Sequence, residues 1–114
     1  MFHEIIQKLT DKGIIIIAAA GNQGETVSFF PAAYEEVISV GAYDQQHKKA
    51  TFSNYGSRVD IMAPGVDLIA PGLNHDYLFT EGTSEAAPIV AGTFALLLQQ
   101  TDSIDRWDEY LTDS

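Results

Sequence analysis

Hydrophobic and polar positions follow two different periods along this chain. Phe2, Ile5, Ile6 and Leu9 recur at the i, i+3, i+4, i+7 spacing of one helix face, and Gly13 after Asp11-Lys12 offers a C-cap. The run IIIIAAA, residues 14–20, is β-branched at first, apolar on both faces and closed by Gly21-Asn22. A continuous apolar run of this length suits a parallel strand covered on both sides. VISVGA at 37–42 and VDIMAPG at 59–65 read as two further strands, the second stopped by Pro64-Gly65. VDLIAPG at 66–72 repeats that ending once, which does not amount to a repeat architecture. The stretch GLNHDYLFTEG after it reads as polar and turn-prone.

The long helix of the chain is predicted over APIVAGTFALLLQQ, residues 87–100. Ile89, Val90, Ala91, Phe94, Ala95, Leu96, Leu97 and Leu98 leave almost no polar face before Gln99. A helix that is apolar nearly all round is a central one, enclosed by other elements, yet few other elements are present here to enclose it. Residues 101–114 carry five acids against one Arg, with Ile104, Trp107 and Leu111 at helical spacing, so a short acidic amphipathic helix is expected there. A helix followed by a buried strand is one step of an α/β pattern with a parallel sheet.

Composition narrows the function. With 114 residues the chain fits one domain at most, and its 46% hydrophobic content is that of a globular protein. A net charge of −10, from 16 acids against 6 bases, argues against a nucleic-acid partner, since nothing would neutralise phosphates. Zero cysteines exclude disulfides and thiolate metal sites. The strongest apolar run, residues 14–20, is far short of the roughly 20 residues a bilayer requires, so no membrane partner is expected. The N-terminus lacks the basic start and small-residue cleavage site of a signal peptide. It resembles the last turns of an ordinary helix, so the chain is expected to begin in mid-domain.

Two residues stand out as chemistry. Ser84 lies in EGTSEAAPIV, among very small side chains and directly before a lone carboxylate, Glu85. Near a helix N-terminus, unpaired N–H groups and the helix dipole favour developing negative charge. Gly82, Ala86 and Ala87 would leave room for another backbone. An N-cap serine is the plainer alternative. Asn22 ends a buried strand, where ligands of α/β sheets gather. Its amide could donate to an oxyanion, with Gly21 and Gly24 allowing close approach; a turn asparagine in the left-handed conformation is the alternative. Motifs for dinucleotides, phosphate loops, zinc peptidases and EF-hands are absent. His3, His47 and His75 stand scattered beside polar residues and read as surface histidines, and Glu35-Glu36 reads as a solvated turn.

Taken together, the segments resemble a known family. GTSEAAPIVAG, residues 82–92, is similar to the G-T-S-x-A-[AS]-P-x-V-A-G signature around the nucleophile of subtilisin-like serine proteases. GIIIIAAAGNQG at 13–24 looks like that family's strand leading into its oxyanion asparagine. FPAAYEEVISVGAYD, ATFSNYG and VDIMAPGVDLIA follow in the family's order. The resemblance implies a parallel-sheet, three-layer α/β fold, of which residues 1–100 would be the C-terminal half and 101–114 an acidic helical tail. It implies Ser84 as nucleophile, Asn22 as oxyanion donor, and Ala19, Ala20 and Gly21 along the pocket for the side chain preceding the scissile bond.

In this family the triad runs Asp, His, Ser along the chain. Neither the Asp-[ST]-Gly nor the His-Gly-Thr that carry the first two occurs in this sequence. The expected activity is therefore peptide-bond hydrolysis through an acyl-enzyme on Ser84, carried by a fragment without its Asp and His. The alternative is an inactive remnant or half-domain that only binds peptide or a partner chain. Expected partners are a polypeptide substrate and the missing N-terminal half. No cofactor is expected; calcium is possible in the complete domain, but no acidic cluster of this segment matches a complete site. Glu85 stands where the family usually has Met, and Ile89 where it often has His.

Overall fold

The computed structural model describes residues 2–27 and 30–100. Helix α1 (Phe2–Asp11) is released by Gly13, whose φ of 86° is the left-handed conformation of a C-cap. The apolar run after it pairs over only three residues, β1 (Ile17–Ala19), although a strand was expected from residue 14. Strands β2 (Ile38–Tyr43) and β3 (Ile61–Pro64) fall where the sequence places them. The three form a parallel sheet in the order β1-β2-β3, registered Ile17↔Ile38, Val40↔Ile61 and Ala42↔Ala63.

Period-two alternation decides what each face of this sheet meets. Ile17, Ile38, Val40, Ala42, Ile61 and Ala63 turn to one side, where helix α2 (Thr83–Gln100) lays Ala86, Val90 and Phe94 against them. Ala18 and Ala20 turn to the other, onto Val27, Ala32 and Val59. On that second side β2 offers Ser39 and Gly41, both small, and Met62 of β3 fills the space over Gly41. Val40, Ala42, Ala63 and Ala86 are all 3% exposed or less, so the core is built from small side chains at close approach rather than large ones.

Helix α2 is longer than expected. It starts at Thr83, four residues before the apolar run, because Gly82 (φ 140°) turns the chain and the small residues that follow tolerate helix. It is also less enclosed: Ala86, Val90 and Phe94 are buried, whereas Leu96 and Leu98 are 63% and 49% exposed. Ala86 is thus a packing residue against the sheet, not one that clears a path to Ser84.

The stretch read as turn-prone holds a strand. Tyr77–Thr80 forms β5, antiparallel to β4 (Leu68–Pro71), with Leu68↔Thr80 and Pro71↔Tyr77 at its ends. The sequence YLFT has strand character of its own, and the loop at 72–76 closes by a bond from the Gly72 N–H to the Asp76 carbonyl, with Asn74 left-handed at φ 58°. The tail at 101–114 and the helix expected in it lie outside the described residues.

One part of the surface is less solvated than the sequence suggests. Glu36 receives His3 Nε2 at 2.8 and 3.0 Å, and the His3 ring stacks on Tyr34 with centroids 4.2 Å apart. The hydrogen bond from His3 is the main cause holding the Glu36 carboxyl below its ordinary 4.5. A carboxyl lowered by folding stabilises the fold above its unfolded pKa and ceases to do so as pH falls through the folded value. Protection of the α1 amides, taken relative to their intrinsic exchange rate at each pH, should therefore fall once the pH drops below about 4.5, and Glu36→Gln should remove that acid-dependent component while leaving protection in α2 alone. Unchanged protection in α1 across that range would refute the tie.

Candidate functional site

Two segments far apart in sequence, the turn after β1 and the start of α2, are joined at one hydroxyl. Thr83, fully buried, donates its N–H and its Oγ1–H to Asn22 Oδ1, each at 2.9 Å, and its Oγ1 accepts the Gly21 N–H at 3.0 Å. The Thr83 hydroxyl thereby uses one donor and one acceptor, and the Asn22 carbonyl oxygen is doubly engaged. That fixes which way the Asn22 amide faces. Its Nδ2 is left as a donor with no acceptor among the described residues.

The turn itself is held from below by Asn54, 2% exposed. Its Oδ1 accepts the N–H groups of Gln23 and Glu25 at 3.1 and 2.9 Å. Its Nδ2 donates to the Ala20 carbonyl and Gln23 Oε1 at 2.8 and 3.0 Å, and its backbone N–H donates to the Gly21 carbonyl at 2.9 Å. One buried amide thus ties down residues 20, 21, 23 and 25 and leaves Asn22 to project. The left-handed positions of this turn are Gly21 (φ 108°) and Gly24 (φ 68°), whereas Asn22 keeps a negative φ. The turn-asparagine alternative for Asn22 is thereby removed.

Ser84 is exposed, occupies the second position of α2, and its hydroxyl has no hydrogen-bond partner among the described residues. It is therefore not the N-cap; Gly82 stands in that place. In the first turn the Thr83 N–H goes to Asn22, and those of Glu85 and Ala86 go to the Gly82 carbonyl. The Ser84 N–H is left without a partner among the described residues.

The spot a Cβ would occupy on Gly82 lies 3.4 Å from Asn22 Nδ2 and 3.8 Å from the Ser84 nitrogen. Two free donors from different segments border one small space, beside an exposed hydroxyl. A hydrogen there is what keeps the space open. Gly65, beneath it, is equally constrained, since a Cβ would meet that of Ala42 at 2.4 Å.

Glu85 borders the same space. Its Oε2 lies 2.8 Å from that Cβ position, while Oε1 accepts the Thr80 hydroxyl at 2.9 Å. The first turn of a helix favours a carboxylate, and this one borders the same space as the two free donors. Of the pocket residues implied by the resemblance, Ala19 ends β1 half-buried, Gly21 is half-buried, and Ala20 is fully buried against Val27 and Ala32. The Ala20 methyl is part of the core, so its backbone is the part of it that can face the turn. Thr83 and Asn54 were not singled out from sequence. Each is a polar residue with other polar residues close by, a weak signal that means something only once its partners are known.

His3 is engaged by Glu36, and His47 sits in the turn after β2, its ring 5.2 Å from that of Tyr43. Among the described residues no group of three or more His, Asp or Glu is placed to hold a metal, and no helix is long and apolar enough to cross a membrane.

The sequence matches the model of the subtilase family over residues 2–112. A thermophilic serine proteinase of Bacillus sp. (strain AK1) is 51% identical over 90 residues, which are 79% of this chain and 22% of that protein. Subtilisin BL of Lederbergia lenta is 39% identical over 100 residues, 88% of this chain and 37% of that protein. The solved structure of the prenylagaramide maturation protease PagA superposes with a TM-score of 0.81 at 38% identity, covering 86% of this chain and 37% of that one. The chain thus spans 22% to 37% of the length of these relatives.

If Asn54 organises the turn as its bonds indicate, Asn54→Ala should cost about 2–3 kcal/mol in urea unfolding, since it strands buried partners. Gln23→Ala, which removes a single exposed partner, should cost less than about 1 kcal/mol. Equal losses for the two would contradict this hierarchy.

Proposed function

The chain belongs to the subtilase family, with its parallel-sheet α/β fold, and we propose that it is the nucleophile-bearing part of a serine endopeptidase. In the assembled enzyme the Ser84 oxygen gives its proton to a base and attacks a peptide carbonyl; the C–N bond then breaks, the amine leaves with that proton, and water hydrolyses the acyl-enzyme ester that remains. The observation that carries this reading is the pair of free donors, Asn22 Nδ2 and the Ser84 N–H, bordering one space beside an exposed serine hydroxyl. An oxyanion needs donors positioned before the charge develops. Thr83 supplies that positioning by occupying Asn22 Oδ1 twice, so the amide cannot turn without losing both bonds.

A serine hydroxyl remains a weak nucleophile until a base takes its proton. This sequence holds neither motif that carries the family's base and orienting acid, and His3 is already engaged by Glu36. We assign both groups to the remainder of the domain, which the relatives' greater length accommodates. The polypeptide substrate and that remainder are the partners this reading requires. The rival, a non-catalytic half that only binds peptide or a partner chain, rests on the same missing motifs.

A serine-directed fluorophosphonate separates the two. Ser84 should be labelled when the chain is combined with the polypeptide encoded upstream of it, and barely labelled alone. Asn22→Ala should lower turnover of the combined enzyme by about 10²–10³, the established scale for an oxyanion donor in this very family. An unlabelled Ser84 in the combined sample would leave the non-catalytic reading standing.

Glu85 acts against the reaction in this reading. Its carboxylate oxygen borders the space in which the oxyanion forms, and two negative charges at such range repel by kilocalories where water is partly excluded. Glu85→Gln keeps the Thr80 hydrogen bond and removes the charge, so kcat/KM of the combined enzyme should rise roughly tenfold. A rate that falls or stays level would mean the carboxylate swings away before the chemistry.

A further inference from the structure

None of the bonds made by the Asn54 side chain reaches Asn22 or Ser84, yet all of them land on residues that flank Asn22. An amide has room for two acceptor and two donor bonds, and here all four are made. Oδ1 takes the N–H groups of Gln23 and Glu25, while Nδ2 serves the Ala20 carbonyl and Gln23 Oε1. A hydroxyl or a carboxylate cannot supply that set, and an amide turned over would set Nδ2 against two N–H donors. Asn54 is 2% exposed among these residues alone, so no other part of the domain is needed to make or bury the bonds.

Asn54 is itself held to the sheet. Ser53 beside it, fully buried, accepts the Ala42 N–H of β2 at 2.9 Å and donates its hydroxyl to the Asn54 carbonyl at 3.0 Å. Lys49 Nζ closes the same turn, donating to the Ala50 and Ser53 carbonyls at 2.7 and 3.1 Å. A path of buried and partly buried bonds therefore runs from β2 through Ser53 and Asn54 to the turn at 20–25.

Two constraints on Asn22 are thus separable. Thr83 fixes which way the amide faces, and does so from the helix that carries Ser84. Asn54 fixes where the main chain of residue 22 stands relative to the sheet. The far side of the loop does not depend on the Asn54 side chain. There the N–H groups of Gly24, Tyr55 and Val27 go to the carbonyls of Phe52, Glu25 and Tyr55 at 2.8, 3.0 and 3.2 Å. Losing the Asn54 amide would therefore loosen residues 22 and 23 rather than unfold the loop. For an oxyanion donor that is enough: a misplacement of about 1 Å, caused far from the chemistry, can cost about 10²-fold.

We propose that Asn54 is a positioning residue for the reaction at Ser84: by fixing the height of Asn22 above the sheet it sets the rate of oxyanion formation, itself buried away from substrate. The kinetic role rests on the proteolytic reading; the anchoring of the Asn22 amide does not.

The chain combined with the polypeptide encoded upstream is assayed on a peptide substrate, its sites counted by end-point fluorophosphonate labelling. Asn54→Ala should lower kcat about tenfold and leave KM within about twofold, as for an interaction that matters in the transition state alone. Asn54→Asp keeps both acceptor bonds and loses both donor bonds; it should also lower kcat, and it serves if Asn54→Ala does not fold. In an Asn22→Ala background either substitution should cost less than about twofold more, because the donor it positions is already gone. A residue that only stabilises the fold would lower kcat by the same factor in both backgrounds, and that result overturns the proposal. So does a rise in KM with kcat unchanged.

Side-chain amide NMR on the same sample separates the anchoring from the enzyme. The heteronuclear NOE of the Asn22 amide should fall in both Asn54 variants and hold its original value in Gln23→Ala, which leaves the Gln23 N–H bond in place. An Asn22 amide that stays as rigid in the Asn54 variants overturns the proposal whatever the kinetics. If the unsubstituted sample neither labels nor turns over peptide while the amide still loosens, the proteolytic reading and the kinetic role fall together and the anchoring stands.

Discussion

The two hydrogen bonds from Thr83 to Asn22 Oδ1 span 61 residues of sequence, and the rest of the site depends on them. They join the carboxyl end of a parallel strand to the amino end of the helix that packs on its sheet. Each bond contributes only about 1 kcal/mol net, but burial makes leaving either unmade costlier than that. The Asn22 side chain consequently has one low-energy orientation, and a flexible surface amide becomes a fixed donor. Gly21 closes the arrangement by donating its own N–H to the same threonine.

This junction is possible because the layers around it are thin. Ala42, Gly65 and Gly82 lie one above another, and a Cβ on Gly65 would meet both Ala42 and the Gly82 carbonyl. Ala86 then lets the first turn of α2 settle against the sheet. The small side chains around the serine serve backbone approach within the protein, and the opening at Gly82 is what remains of that packing on the outer side. Asn54 supports the turn from the opposite side of the sheet, so the donors rest on buried structure although they themselves are exposed.

Acidic groups recur near this opening in two places. Glu85 stands beside it, fastened by Thr80, its carboxylate bordering the same space as the two free donors. Asp67, Asp76 and Glu81 lie further out, around the β4–β5 hairpin.

The sequence alone determined the order of elements on the sheet side of the molecule, because a buried parallel strand reads as a near-continuous apolar run: residues 14–20 are one, and two shorter β-branched segments, interrupted only by Ser39 and Asp60, follow it. It also pointed to Ser84 and Asn22 through the ordered motifs around them. It did not reveal that α2 starts at Thr83, since Thr, Ser and Glu have no apolar period to announce a helix; the turn at Gly82 decides that start. It misread 72–82 as loop, because YLFT pairs only with a segment already read as a repeated ending, and a two-stranded ribbon has no buried face to impose a pattern. The roles of Thr83 and Asn54 belong wholly to the tertiary structure. A hydrogen bond between residues 31 or 61 positions apart leaves no periodicity in the chain, and the identity of such a residue means nothing until its partner is brought beside it.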